Sequence, residues 1–597
     1  MHNSIKCNFE NCSQVYNNVY CLKRHILSNH INNSRHLQRI STVKNSEQKE
    51  VVSQVTINSV HDYLAQERIN IIDIMSSTCN EGNDMDIVQV QEKINTAATL
   101  VVAKLYARRT LNRTVTNDII KTMSSFYNSV CLPMLKIKYN NIDGLQDILK
   151  IIETAFDNFK TEYSTFKYLK SIGCLIMPST ITIDTSIIFG PINKKKKSFT
   201  CHKNISIIPL KKVLIKFLEL PNVFSIITAY IERCKNDYNI ITSITQSSFW
   251  KSTVKDSNSK IVLPLILFSD DIEINNPLGS HKGIHKLGAV YCTIPCIPEE
   301  YSSRLENIFL LQLHNSVDHK HLGNKKIFNK VIEVITDLEV NGIQIKINGE
   351  VKTVFFKLCF IAGDNLGLNT MLGFSRSFNS TYCCRICLIA KQDIQKQVRE
   401  NVDLIRTVTN YTDHCKEKIF GIDEECIFNS IPSFHVADNF SVDPMHDLLE
   451  GVCRYDIGKI LKNFVVTNQL FTLKVFNERL RYFKKTSFGE NIPVITQNVI
   501  EKEYLIISSS EMKYLVLNLC LIIGDIIPVD NVFWELYLIL RQIICIVFLH
   551  AVNRETVDLL EVLVSEYLSL HGKLFHNSLK YKHHNLLHYQ LCAHMDL

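Results

Sequence analysis

Residues Lys260–Ile274 read KIVLPLILFSDDIEI, and this stretch decides the fold. Eight of its first nine side chains are apolar, β-branched or proline, which is the composition of a strand buried on both faces. It ends abruptly in acid at Asp270 and Asp271. Two further short apolar runs follow, Leu287–Ile294 and Ile308–Leu313, separated by Gly, Pro and Ser turn residues. Phe328–Leu338 has helical apolar spacing and stops before Asn341–Gly342. Val354–Ile361 reads as another strand and runs directly into Gly363–Asp364. Three strands, a helix and a fourth strand therefore follow one another.

That order is the one found in ribonuclease-H-like α/β cores. In such a sheet the first and fourth strands are neighbours, so Asp270 and Asp364 are expected side by side. Two carboxylates so placed can share Mg²⁺ or Mn²⁺ and align a hydroxyl with a phosphodiester. Asp271 is an alternative to Asp270, since adjacent strand residues face opposite ways. Acids at strand ends also serve as plain turn and helix caps.

Outward from this core the pattern is helical on both sides. Residues 61–245 carry mostly helical spacing, as in Ile119–Ile120–Met123–Phe126–Tyr127. Residues 391–580 do so again. Lys194–Lys197 form a basic run that reads either as a nuclear-import or phosphate-binding patch or as a solvated loop. Tyr514–Ile527 and Phe533–Val552 are the most apolar stretches, but Asp525, Glu535 and Arg541 interrupt them. They are predicted to be buried helices, because a membrane span needs about 20 apolar residues in succession. At 597 residues the chain exceeds one core. Its 46% apolar and 21% charged residues are those of an ordinary globular protein, and its net charge of +7 requires local patches for any binding to nucleic acid. Twenty cysteines without a secretory leader predict reduced thiols in a nuclear or cytosolic setting.

The first thirty residues carry a complete C2H2 pattern. Cys7, Cys12, His25 and His30 are spaced C-x4-C-x12-H-x4-H, with Tyr16 and Leu22 as core residues. A segment this short needs Zn²⁺ to fold. Such a ββα finger presents Asn18, Cys21 and Arg24 at the base-contacting positions of its helix, with Lys23 directed at phosphate. Arg24 suits guanine and Asn18 adenine. One finger covers about three base pairs and cannot specify a site alone. The competing reading is a protein-binding finger. Residues 32–60, rich in Asn, Ser, Gln and Lys, read as a flexible linker.

Three phrases, NPLGSH at 276–281, GDNLGLN at 363–369 and VDPMHDLLEGV at 442–452, resemble eukaryotic cut-and-paste transposases of the CACTA-like group. The resemblance spans roughly 255–597. It implies an Asp-Asp-Glu triad in a ribonuclease-H-like core at 255–390, a helical insertion at 391–580, and a return to the core at 581–597. It also implies a zinc site built from a C-x2-C about twenty residues after the second aspartate and two late histidines. Here these are Cys384 and Cys387, with Cys383 as an alternative to Cys384, and His584 and His588, with His583 as an alternative to His584. His584 and His588, at i and i+4, share one face of a helix.

The same resemblance places the third carboxylate about twenty residues past the second histidine. The chain stops at Leu597, nine residues past His588, so the Glu is expected to be missing. Glu450 is a substitute that shares a helix face with His446, although a capped structural helix starting at Asp443–Pro444 accounts for the motif equally. The sequence thus predicts an α+β multidomain chain comprising a zinc finger, a helical region and a ribonuclease-H-like core with a large helical insertion. The expected function is a nuclear, zinc-containing, transposon-derived DNA-binding protein without competent strand transfer, or alternatively an active transposase seen incompletely, or a protein-interaction scaffold. A homo-oligomer and no membrane association are expected.

Overall fold

The computed structural model describes residues 5–6, 15–16, 87–108, 110–138, 145–192, 195–237, 239–257, 260–273, 286–486 and 492–594. The four finger ligands Cys7, Cys12, His25 and His30 lie outside the described residues, as do Asn18, Cys21, Lys23 and Arg24 and the linker 32–60. Two short strands flank the cysteine pair in sequence, β1 (Ile5–Lys6) and β2 (Val15–Tyr16), and they pair antiparallel with Ile5 opposite Tyr16.

The chain divides into two compact units, Met1–Ser171 and Ile172–Leu597. The division falls inside the 61–245 region, so its second part belongs to the unit that carries the sheet. In the first unit the described helices are Ile87–Ala107, Arg113–Phe126, Leu132–Lys138, Leu145–Thr154 and Glu162–Ser171. Asn112 caps the second of these by accepting the Val115 N–H.

The second unit is organised on a seven-stranded sheet of order β3-β4-β7-β6-β5-β9-β8. Its strands are β3 (Ser179–Ile192), β4 (Lys195–Ile207), β5 (Ile261–Glu273), β6 (Lys286–Thr293), β7 (Ile308–Asn315), β8 (Ile343–Ile347) and β9 (Glu350–Gly363). The four strands read from sequence are β5, β6, β7 and β9, and the amphipathic helix is Ser316–Val340. β5, β6 and β7 form an antiparallel meander; the helix then leads into β8, which turns back antiparallel into β9, and β9 lies parallel to β5. A parallel return requires such a crossover. The helix breaks at Gly323, whose φ of 75° is left-handed, so its amphipathic part begins beyond the break.

Two features extend the sheet beyond the sequence expectation. A hairpin, β3–β4, occupies 179–207 within the region read as mostly helical, with Lys195–Lys197 in its second strand. STITIDTSIIFGPI is dense in β-branched residues, which lose side-chain freedom in a helix and pack well on a pleated surface. β8 joins β9 through Asn348–Gly349, both at positive φ, and Ile347 faces Glu350 across the turn. Asn-Gly meets the demand of a two-residue hairpin loop for two left-handed residues.

The unit has two hydrophobic cores. One packs Leu263, Leu265, Leu267, Leu311 and Phe356 of the sheet against Phe328, Val331 and Ile335 of the crossover helix. The other gathers Leu448, Val452, Leu519, Tyr537, Leu540 and Tyr567 from the helices beyond residue 440. The stretches predicted as buried helices are Ser509–Ile523 and Val532–Val547, and both lie in this second core. Among the described residues no single helix is long and apolar enough to cross a membrane.

Candidate metal centre and carboxylate site

Cys384 and Cys387 sit in an irregular segment after β9, while His584 and His588 lie on the last two helices, Tyr581–Asn585 and Leu587–His594. Separated by some two hundred residues, they converge on one point. Cys384 Sγ lies 3.3 Å from His588 Nε2, Cys387 Sγ lies 3.3 Å from His584 Nε2, and the two Nε2 atoms are 3.1 Å apart. All four residues are buried, and their donor atoms fall within 4.8 Å of one another. Two sulfurs and two imidazole nitrogens in this arrangement form a donor set able to hold a metal ion.

The surroundings prepare these atoms for that task. His588 Nδ1 is 2.6 Å from Glu400 Oε2, so Nδ1 carries a proton toward the carboxylate and Nε2 is the nitrogen turned to the donor set. Burial acts to lower this imidazole, but Cys384 and Glu400 together raise it to about 10, so its Nε2 proton leaves when a cation binds. Cys384 Sγ accepts the backbone N–H groups of Ile386 and Cys387, at 3.4 and 3.5 Å. Burial acts to raise the Cys384 thiol, but Cys387 and His588 outweigh it and hold the thiol well below its usual range. Burial and the neighbouring Cys384 push Cys387 the other way. One proton is therefore readily lost from the pair, and the second leaves when a cation arrives.

The two sequence alternatives resolve in this geometry. Cys383 is buried beside the donor set but contributes no ligand atom, and burial raises its thiol to about 11. His583 points instead to Asp456, with Nε2 3.0 Å from Oδ2.

Asp456 is itself a second buried cluster. It receives Tyr567 Oη and His571 Nε2, the latter at 3.1 Å, in addition to His583. Asp456, His571 and His583 lie close enough to hold an ion. The hydrogen bonding favours another role. His583 Nδ1 accepts the Lys580 backbone N–H at 3.1 Å, which leaves the ring proton on Nε2 facing the carboxylate. A ring so placed donates to Asp456 and has no lone pair left for a metal. The network ties the helices Cys453–Lys462, Arg554–Leu574 and Tyr581–Asn585 together.

The carboxylate site lies at the end of β5 and β9. Ser269 pairs with Gly363 in the parallel ladder, so Asp270 follows on β5 and Asp364 lies just past the end of the neighbouring β9. At Gly363 a Cβ would stand 2.9 Å from the Ser269 carbonyl oxygen, and glycine allows the close approach. Asp270, Asp271 and Asp364 all line a cavity of about 560 Å³ with His314, Ser316, His319, Glu424 and the cations Lys286, Lys320 and Arg376. Burial, with Asp364 and Asp271 adding to it, raises the Asp270 carboxyl above its ordinary range. Asp364 also caps the helix Asn365–Met371 by accepting the Gly367 N–H at 2.5 Å. Asp364 thus caps a helix, as its plainer reading expects, and also lines the cavity. Asp271 accepts a hydrogen bond from Ser316 Oγ at 2.7 Å. Glu450 is not among the residues lining this cavity; its carboxylate takes Ser509 Oγ at 2.6 Å and Arg454 at 3.4 Å.

Sequence reasoning did not single out His314, Ser316, His319 or Glu424, nor the supporting Glu400. His314 rests on Gly288, where a Cβ would come 2.2 Å from its Nε2. Burial and His319 lower the His314 imidazole to about 4, so it is neutral at physiological pH. No family model matches the chain, and no curated protein matches it significantly.

Proposed function

We propose that this chain is a zinc-containing, transposon-derived DNA-binding protein with a ribonuclease-H-like core. The observation that carries the proposal is the convergence of Cys384, Cys387, His584 and His588. The transposase resemblance puts these four residues forward, with Cys383 and His583 as alternatives, and the four form one donor set across separations of 197 and 204 residues. Tetrahedral zinc with Zn–S of about 2.3 Å and Zn–N of about 2.0 Å spaces sulfur and nitrogen by about 3.5 Å, close to the spacing of 3.3 Å. The sheet order β7-β6-β5-β9 with one parallel pair supports the ribonuclease-H-like reading. When bound, zinc would act as a structural cross-link between the segment after β9 and the final helices. The finger, with Cys7, Cys12, His25 and His30, would hold a second ion and add Arg24 and Asn18 as base contacts. The protein would act in the nucleus, with an assembly of two or more chains holding two DNA ends.

The placement of Asp270 and Asp364 one residue past the Ser269–Gly363 pair favours one further reading, metal-dependent cleavage and strand transfer with Mg²⁺ or Mn²⁺. Two carboxylates on adjacent strands would hold the cation, and a third acid would complete its shell. Fluorescence anisotropy with duplex DNA between 50 and 200 mM salt tests the binding proposal. Affinity should fall steeply with salt as counterions return to the duplex. DNA affinity absent at every salt concentration would sink it and leave a protein scaffold. Mn²⁺-dependent nicking that disappears in Asp364→Ala would establish the enzyme reading.

A further inference from the structure

A buried polar relay joins the metal centre to the carboxylate site. Arg385 lies between the two cysteine ligands and is 3% exposed. Its Nη1 donates to Asn365 Oδ1 at 2.6 Å, and its Nη2 to the Ser441 carbonyl at 2.7 Å. Asn365 directly follows Asp364. Its Nδ2 donates to Asp447 Oδ1 at 2.6 Å, and Asp447 is fully buried. Asn585, next to the ligand His584, donates to the same Asp447 oxygen at 3.1 Å. A buried cation and a buried anion thus meet through one side-chain amide.

Such an arrangement is demanding. A buried charge that loses its partner is strongly unfavourable, so both charges hold Asn365 in one orientation. Only an amide satisfies both, since its oxygen faces the guanidinium and its NH₂ the carboxylate. Asn365 is also the first residue of the helix that Asp364 caps. Fixing its side chain fixes the backbone that aims the Asp364 carboxylate. Each partner comes from a different segment: the cysteine turn, the 442–452 motif and the histidine helix.

We propose that Asn365 is a positioning residue that couples the Cys384–Cys387–His584–His588 centre to Asp364, through Arg385 on one side and Asp447 on the other. The inference rests on the reading of Asp270 and Asp364 as a divalent-cation site. A cation at the four-ligand centre orders the turn carrying Arg385 and the helix carrying Asn585, and the relay passes that order to Asp364. By reciprocity, occupancy of either metal site raises the affinity of the other.

The test uses the full chain with Mn²⁺ as the probe. Free Mn²⁺ is followed by its six-line electron paramagnetic resonance signal, in the wild type, Asp364→Asn, Asn365→Ala and Arg385→Lys. Co²⁺ is loaded into both Cys₂His₂ sites, so a visible absorption amounting to two tetrahedral ions per chain, rather than one, reports that the four-ligand centre is intact, and thermal melting reports the fold. The relay predicts that Asn365→Ala weakens Mn²⁺ binding by about tenfold or more, as loss of a supporting shell does. The Co²⁺ spectrum should stay tetrahedral. Arg385→Lys keeps the charge and loses the fork, so it should weaken Mn²⁺ binding less, and it carries the test where Asn365→Ala fails to fold. An unchanged Mn²⁺ affinity in a folded variant with an intact Co²⁺ spectrum overturns the inference alone. Mn²⁺ binding that is absent from the wild type, or indifferent to Asp364→Asn, overturns the carboxylate-site reading and the inference with it.

Discussion

At the residue scale the most consequential contact is Glu400 on His588. A carboxylate on the far nitrogen of a ligating imidazole fixes its tautomer and raises its basicity. Glu400→Gln keeps the shape and loses the charge. It should weaken zinc affinity by about tenfold or more, measured by competition with a chromophoric chelator, while retaining the fold. An unaltered affinity would show that Glu400 merely fills space. Asp270 makes the opposite kind of prediction. Its folded carboxyl is raised by burial and by its acidic neighbours. A group raised on folding contributes stability below its unfolded value, near 4, and loses it as pH rises through the folded value. At neutral pH the ionised Asp270 is therefore a liability, and Asp270→Asn should raise the melting temperature at pH 7. That gain should shrink as pH falls through the raised folded value and vanish below about 4, where the carboxyl is neutral in both the folded and the unfolded chain. A lower melting temperature at pH 7 would contradict the assignment.

At the element scale, much was legible and the misses have physical causes. β5, β6, β7, β9 and the crossover helix were readable because buried strands and a one-sided helix write different apolar periods. β3 was lost inside a helical region because isoleucine serves both helix faces and strands, and only the Thr and Ser between the isoleucines tip the balance. β8 was legible in principle, since Asn348–Gly349 between alternating runs is a hairpin signal. The aspartates were readable at the ends of apolar strands, and the four candidate metal donors through the resemblance. His314 was not, because its place depends on Gly288 across the β6–β7 ladder, a pairing that no local pattern records. Gly288→Ala would drive a methyl into that ring. The ring or the strand must then shift, and overpacking of this kind costs about 1–3 kcal/mol. Chemical denaturation should report that loss, and a variant as stable as the wild type would show that His314 swings freely aside.

At the scale of the whole molecule, the chain closes a loop of some two hundred residues by bringing its final helices back to the turn after β9. The helical residues between them form a core of their own, and the metal centre sits where that core meets the end of the sheet strand. Here four candidate donors distant in sequence converge, and the polar residues beside them, Arg385, Asn365, Asp447 and Asn585, are buried together. The central claim is that these four donors hold zinc. The most direct measurement is metal content by mass spectrometry on the purified full chain, compared with the double variant Cys384→Ser/Cys387→Ser. The account predicts two zinc ions per wild-type chain, one in the finger and one in the core, and one in the variant. Equal zinc content in the two proteins would contradict it.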